Sequence, residues 1–511
     1  MAYLIGIDKG TSVIKAVIFD TAGRAKSLAQ RRVDVLQPQP GWHEEDPDAT
    51  WHLCASVIRE VLQKAALTGD DIAAVGIAGH MGGAWLIDAE GKAVRNAICW
   101  PDARAQANQV ALEKAGLANE VFAISGNGLM PGISAMLLGW LSKHEPASLK
   151  LTRNVLAAKD YLRFRLTGNI ATDTSDVSFF PSDIDRQTYS SRILQLCGAE
   201  AWHDKLPPIL PSGDIAGYIT GDAARLTGLR PGTPVVTGLG DASANALGVG
   251  AIQPGAALTV LGTSCLNGQV LDTPDRAPKG LGFLFAMPLS RYIRILPNTS
   301  GTIAMDWFLE RFGSPLTAEG APDFTKLAAR ASAIPRGASG VIFIPYVNGS
   351  GVLAPFHDAL ARGSFFGVSS HTTYDHLARA VYEAMCFATR DCFEAMSSKP
   401  TSLILTGGGA RSPFWAQMFA DICGIPIEIA EVEESGALGV ALLAGVAVGN
   451  WPDLETAAAQ TTSIAARYEP DLVAKADYDG WFELYRQTRD VYRQYSHDRT
   501  QLQSAILGEA A

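Results

Sequence analysis

The chain has 511 residues, too many for one ordinary hydrophobic core, so two domains are the expected organisation. Hydrophobic residues make up 47% of it and charged residues 18%, a balance that excludes a disordered chain. A formal net charge of -10 argues against a general nucleic-acid binder, whose phosphates attract basic surfaces, and still leaves room for a local groove holding one anionic ligand.

Seven cysteines are scattered along the chain without a CxxC pair, which fits buried free thiols in a reducing compartment better than disulfides or a zinc site. Asp8 and Lys9 interrupt the N-terminus before an apolar leader core can form. The longest uncharged apolar stretch, 435–450, is too short to span a bilayer and is rich in Gly and Ala. A cytoplasmic protein with no membrane partner is expected.

In chain order, Tyr3-Leu4-Ile5-Gly6-Ile7-Asp8 reads as a short strand ending in a carboxylate. Lys9-Gly10-Thr11-Ser12 breaks it, and 13–19 forms a second strand closed by Asp20, so the whole reads as a hairpin. Asp46-Pro47 can cap and start a helix whose apolar residues from Trp51 to Ala65 share one face. Segments 73–77 and 84–87 read as strands, and 229–250, rich in Pro and Gly, as the hinge region. The opening hairpin then recurs about half a chain later: Leu258-Thr259-Val260-Leu261, the turn Gly262-Thr263-Ser264, and a strand over 265–271 closed by Asp272. In both copies the closing Asp stands ten residues after the turn Gly. One Gly-Thr-Ser recurs by chance, but this repeat suggests a duplicated domain. Further on, 341–345 and 403–405 read as strands and 374–396 as a long helix, and the tail after Arg499 as a frayed helical end. The fold expected is mixed α/β, with two similar halves and a cleft between them.

Backbone N–H groups of a tight Gly turn converge on phosphate oxygens, and Thr or Ser hydroxyls add donors, so two facing Gly-Thr-Ser turns can grip a polyphosphate. A third turn, Gly407-Gly408-Gly409, follows a strand and precedes a helix starting near Ser412-Pro413, where backbone and helix dipole suit a nucleotide. Asp8, at the mouth of the first turn, is either a hairpin residue bonding its own backbone or a holder of Mg²⁺ through water. Asp241 follows an apolar strand and two glycines, as either a helix N-cap or a general base at a strand end. Two loops suit a sugar: Gly79-His80-Met81-Gly82-Gly83, and Trp100-Pro101-Asp102-Ala103-Arg104, with its aromatic face, acceptor and fork of donors.

These motifs together resemble the FGGY carbohydrate kinases, a family of the actin and hexokinase fold, over residues 3–447. The likeness rests on Gly6-Ile7-Asp8-Lys9-Gly10-Thr11-Ser12, on Lys159-Asp160-Tyr161-Leu162 and Thr172-Asp173-Thr174-Ser175-Asp176, and on Gly240-Asp241. Leu261-Gly262-Thr263-Ser264, Gly407 to Pro413, and the spaced set Gly363, Gly367, His376, Leu377, Ala380 and Glu383 complete it. The resemblance implies two ribonuclease-H-like domains, with 1–248 sugar-binding, 249–485 nucleotide-binding and 486–511 a helical tail. It implies ATP and Mg²⁺, with Thr11, Ser12, Lys15, Gly262, Thr263, Gly407, Gly408 and Ser412 on the nucleotide and Asp8 and Asp241 at the metal. Asp241 is then the general base, and His80, Met81, Trp100, Asp102 and Asp241 face the sugar. The acceptor expected is a small ketose or polyol, D-xylulose first, with L-xylulose, L-ribulose or erythritol as alternatives. A non-sugar ATPase of the same fold is the rival from another class. A homodimer is expected, as for many relatives.

The departures lie on the sugar side. Lys9 replaces a small or apolar residue. Gly79-His80-Met81-Gly82-Gly83 stands where kinases of xylulose carry Gly-Gln-Met-His-Gly. Leu137 replaces a Lys ahead of Trp140, and Gly349 to Pro355 replaces a Gly-Glu-Arg-x-Pro run. The Arg-Glu pair of glycerol kinases is also missing from the first sugar loop.

Overall fold

The computed structural model describes residues 3–317 and 320–507. The first half opens with β1 (Tyr3–Lys9), β2 (Val13–Phe19) and β3 (Ala25–Arg32), a meander whose first two strands are the expected hairpin. Helix α1 (Pro47–Ala65) starts as the sequence indicates, with the Asp46 side chain accepting from the N–H groups of Asp48 and Ala49. Then follow β4 (Ile72–Gly79), α2 (Ala158–Thr167), β5 (Ile215–Tyr218), β6 (Pro234–Val236), β7 (Leu239–Gly240) and α3 (Asp241–Gly248). The strands form one sheet in the order β5-β6-β4-β1-β2-β3, with β7 also on β4.

The second half repeats the plan with β8 (Ala256–Leu261), β9 (Cys265–Leu271), β10 (Phe283–Met287) and β11 (Arg291–Asn298), followed by α4 (Thr302–Phe312) and α5 (Tyr374–Ala395). Next come β12 (Ser402–Thr406), α6 (Pro413–Cys423), β13 (Ile427–Ala430), α7 (Ser435–Ala447), β14 (Ile464–Tyr468) and α8 (Leu472–Leu507). Its sheet runs β10-β11-β9-β8-β12-β13-β14. Setting aside the edge strand β10, both sheets share one pattern. Three antiparallel strands lead, two parallel neighbours follow, and one antiparallel strand closes the far edge. The duplication suggested by the repeated hairpin is therefore a duplication of the whole sheet.

Strands read at 84–87 and 341–345 appear as Trp85–Ile87 and Ile342–Ile344. The 229–250 segment carries β6, β7 and α3. Helix α8 is continuous across residues 485 and 486 and past Arg499; residues 508–511 of the tail lie outside the described residues.

One face of the first sheet packs on α1 and α2, around Trp51, Val57, Ile58, Ile77, Tyr161 and Leu166. The other face is covered by α3 and by α7, which comes from the second half. The approach is backbone to backbone. A Cβ at Gly6 would collide with the carbonyl of Ala437, and one at Gly76 with that of Val440. Most of the apolar stretch 435–450 is thus the interior helix α7, which ends at Ala447. Among the described residues no helix is long and apolar enough to cross a membrane.

Candidate active site

Parallel strands end side by side, and that places the chemistry. β1 and β4 run in parallel so that Asp8 pairs with Ala78 and Lys9 with Gly79, and β7 sets Gly240 beside Gly79. Asp8, the His80 loop and Asp241 therefore emerge at one edge of the first sheet. In the second sheet, β8 and β12 are parallel with Val260 beside Thr406, so the Gly262 and Gly407 turns also emerge together.

Asp241 is the first residue of α3, and Gly240 occupies the cap position. Its Oδ1 accepts from the N–H of Ala242 at 2.8 Å. Burial, and then the negative charge of Asp8, push its carboxyl up to about 7. Burial also raises Asp8, against the pull of Lys15. Asp8 Oδ1 is buried and has no protein donor. A cation fits such an orphaned oxygen facing a second carboxyl. Among the described residues no three His, Cys, Asp or Glu side chains gather to hold a metal by themselves. Magnesium bound here would draw most of its ligands from water and phosphate, as is usual for it.

The first phosphate turn and the second sugar loop touch: the Trp100 indole N–H donates to Thr11 Oγ1 at 2.8 Å. Ser12 and Thr263 are exposed at their turns, while Lys15 is held by Glu434 at 2.7 Å, a link between the two halves. The Asp102 oxygens already accept from the Arg104 backbone and guanidinium and from the N–H of His43. It holds its loop rather than offering a free acceptor.

His80 and Met81 are 2% and 5% exposed. A Cβ on Gly240 would lie 2.6 Å from the Met81 thioether, so Met81 presses on the residue before Asp241. Neither ring nitrogen of His80 has a partner. Burial and Lys9 lower its pKa, against the pull of Glu45. Beneath it lies a group the sequence reading missed. Glu45 accepts from Lys9 Nζ at 3.0 Å, Cys99 Sγ at 3.2 Å and Thr50 Oγ1 at 3.1 Å, with His80 Nε2 3.7 Å away. Burial works against its ionisation, but the His80 ring and the Lys9 ammonium outweigh it and hold Glu45 at about 2. Lys9 was the available signal: a cation at the end of a buried strand requires a buried anion. At Gly82, a Cβ would stand 2.9 Å from the Phe179 ring, so an aromatic wall fills space beside that position.

Beside Gly79 lies the Lys159 segment. Lys159 Nζ, fully buried, sits 2.7, 3.0 and 2.9 Å from Asp160, Asp173 and Asp176, and these carboxylates keep it charged against burial. Burial and its neighbouring carboxylates raise Asp176.

Across the cleft, Gly408, Gly409, Ser412, Leu261 and Gly262 line a cavity of about 730 Å³ with Met305, Phe324, Tyr382 and Phe414. Ser412 caps α6 by accepting from the N–H of Trp415. The cavity is mostly apolar and opens on the Gly262 turn, which suits a purine whose phosphates run toward Thr263. The helices that complete it, α4, α5 and the short helix Phe324–Ser332, were invisible as ligand-binding from sequence because nothing local marks them.

Glycine turns at the strand ends of two duplicated sheets, with two neighbouring carboxyls at the ends of the first, fit a phosphotransferase of the actin and hexokinase fold. The chain belongs to the FGGY family of carbohydrate kinases: residues 3–248 match the family's N-terminal domain and 257–448 its C-terminal domain. It is 31% identical to a probable L-xylulose kinase of Pasteurella multocida, covering 95% of this chain and 98% of that one. It is 34% identical to a xylulose kinase of Escherichia coli strain K12, covering 87% and 90%. The ligand-bound xylulose kinase structure from Lactobacillus acidophilus superposes with a TM-score of 0.88 at 26% identity, covering 96% and 98%. The protein is a carbohydrate kinase and uses ATP.

Proposed function

We propose that the chain transfers the γ-phosphoryl group of Mg·ATP to the terminal hydroxyl of a small open-chain ketose, D-xylulose first. The observation that carries this is Asp241, a carboxyl lifted toward neutrality beside Asp8 at the strand ends that also present the sugar loop. Asp241 takes the proton from the attacking hydroxyl as that oxygen bonds to phosphorus and ADP leaves. Thr11, Ser12 and Thr263 donate to phosphate oxygens, and Gly407, Gly408 and Ser412 support the nucleoside. Asp8, through water and with Asp241 nearby, would hold magnesium, which would supply neutralisation of the phosphate charge. His80 Nδ1 or Nε2, unpartnered, binds a sugar hydroxyl beside Met81 and Trp100, and Asp102 orients the Trp100 loop. Lys15 links the first hairpin to Glu434 and brings a cation near the phosphates. A cytoplasmic homodimer without a nucleic-acid partner belongs to the same reading.

A second reading is a kinase for L-xylulose, L-ribulose or erythritol. The exchange of His80 and Gly82 for the Gln and His of the xylulose pattern favours it, as does the relative named for L-xylulose. Incubation with Mg·ATP and each sugar, with the product identified by mass, decides between them. Efficient D-xylulose 5-phosphate formation supports the first; a preference of tenfold or more for another acceptor replaces it.

A further inference from the structure

We infer that Ser175 is a positioning residue for Asp241, acting through the peptide N–H of Gly240. This rests on the reading of Asp241 as the base. The segment Thr237–Gly240, which delivers Asp241 to the cleft, is pinned by side chains at both ends. Arg163 donates to the Thr237 carbonyl at 2.8 Å. At the other end the Gly240 N–H donates to Ser175 Oγ at 2.8 Å.

Ser175 is itself fixed. Its hydroxyl donates to Asp173 Oδ2 at 2.6 Å, an oxygen that also accepts from the Ser175 N–H at 2.9 Å and from Ser212 Oγ at 2.8 Å. Asp173 Oδ1 faces Lys159 Nζ at 3.0 Å. Ser175, Asp173, Lys159 and Arg163 are each fully buried. A hydroxyl has one proton, and the carboxylate takes it, so the lone pairs of Ser175 Oγ are directed to the Gly240 N–H. Gly240 is also pressed by Met81 of the sugar loop. Gly240 is thus gripped by a rigid charged core and by the sugar loop, one residue before the proton acceptor. Displacing a catalytic group by about 1 Å can cost on the order of 10²-fold in rate.

The test compares Ser175→Ala, Ser175→Thr and Ser212→Ala in the full-length enzyme, with melting temperatures measured alongside. Ser212 bonds the same Asp173 oxygen through its hydroxyl, and its carbonyl accepts from the Gly238 N–H, but its side chain does not reach Gly240; Ser212→Ala keeps that carbonyl and so reports the cost of merely weakening the cluster. Ser175→Ala is expected to lower kcat about 10- to 100-fold with the KM of ATP and of sugar within about twofold. Ser175→Thr, which keeps the hydroxyl, should recover most of the rate, and Ser212→Ala should leave kcat nearly unchanged. An equal loss of kcat in Ser175→Ala and Ser212→Ala overturns the inference, since both then act through cluster stability. If Ser175→Ala does not fold, Ser175→Cys takes its place, since a thiol is a weak acceptor for the Gly240 N–H: a slow, stable Cys variant beside an active Ser212→Ala supports positioning, and two variants slowed alike refute it. Combining Ser175→Ala with Asp241→Asn separates the failures. If Asp241→Asn alone keeps its turnover, the base assignment is lost; if the Ser175 effect persists undiminished on Asp241→Asn, only the positioning inference is lost.

Discussion

Burial and the charge of Asp8 place the Asp241 carboxyl near 7, so its basic form dominates only above that pH. At limiting Mg·ATP, kcat/KM is expected to fall as pH drops below about 7, because the protonated acid accepts no proton. Asp241→Asn keeps the acceptor for the Ala242 N–H, so it should fold and bind ATP while kcat falls roughly 10²–10⁴-fold and the acid limb disappears. Retention of most of the turnover would falsify the base role. Glu45 makes a second, structural use of charge. Its folded value of about 2 lies below the ordinary 4.5, so it stabilises the fold above pH 4.5 and that contribution drains away as pH falls toward 2. The linked amount is on the order of 3 kcal/mol. Glu45→Gln, which strands the buried Lys9 cation, should be clearly less stable at pH 7, with the gap to the native chain shrinking by pH 3. Denaturant midpoints at the two pH values measure it, and a constant gap counts against the assignment.

At the scale of elements, the Gly407 turn shows two glycines with different duties. Gly407 has φ +90°, and a Cβ there would press on the Leu261 carbonyl, so Gly407→Ala should lose roughly 1–3 kcal/mol of stability. A Cβ at Gly408 would meet no protein atom within 4 Å, and the residue borders the apolar cavity. Gly408→Leu should melt within a few degrees of the native chain yet weaken ATP about tenfold or more, with sugar binding little changed. Calorimetry showing unchanged ATP affinity would move the nucleoside elsewhere. Such turns were legible in the sequence because strand, glycine and cap lie within ten residues of one another. The repeated Gly-Thr-Ser hairpin likewise revealed the duplication, since a local pattern was copied whole. Glu45 under Lys9, Phe324 and Tyr382 in the cavity, and Ser175 under Gly240 were not legible. Their partners lie tens of residues or more away, and only the packed sheets bring them together.

For the whole molecule, the two halves are not independent bodies joined by a linker. Helix α7 belongs by sequence to the second half, yet Ala437, Leu438, Val440 and Ala441 pack with Leu4, Val17 and Ala74 of the first sheet. Residues 1–248 expressed alone should therefore expose that sheet face and be aggregation-prone or loosely packed, with dye binding and poor near-ultraviolet dichroism. A soluble fragment with a sharp melting transition would show that α3 alone is cover enough. The same helix sets a schedule for biosynthesis. At typical translation speeds of about 5–20 residues per second, the opening sheet waits tens of seconds on the ribosome before residues 435–447 emerge to seal it. For that interval its first strands are exposed to chaperones and proteases, and slow codons between the halves would lengthen the risk rather than relieve it.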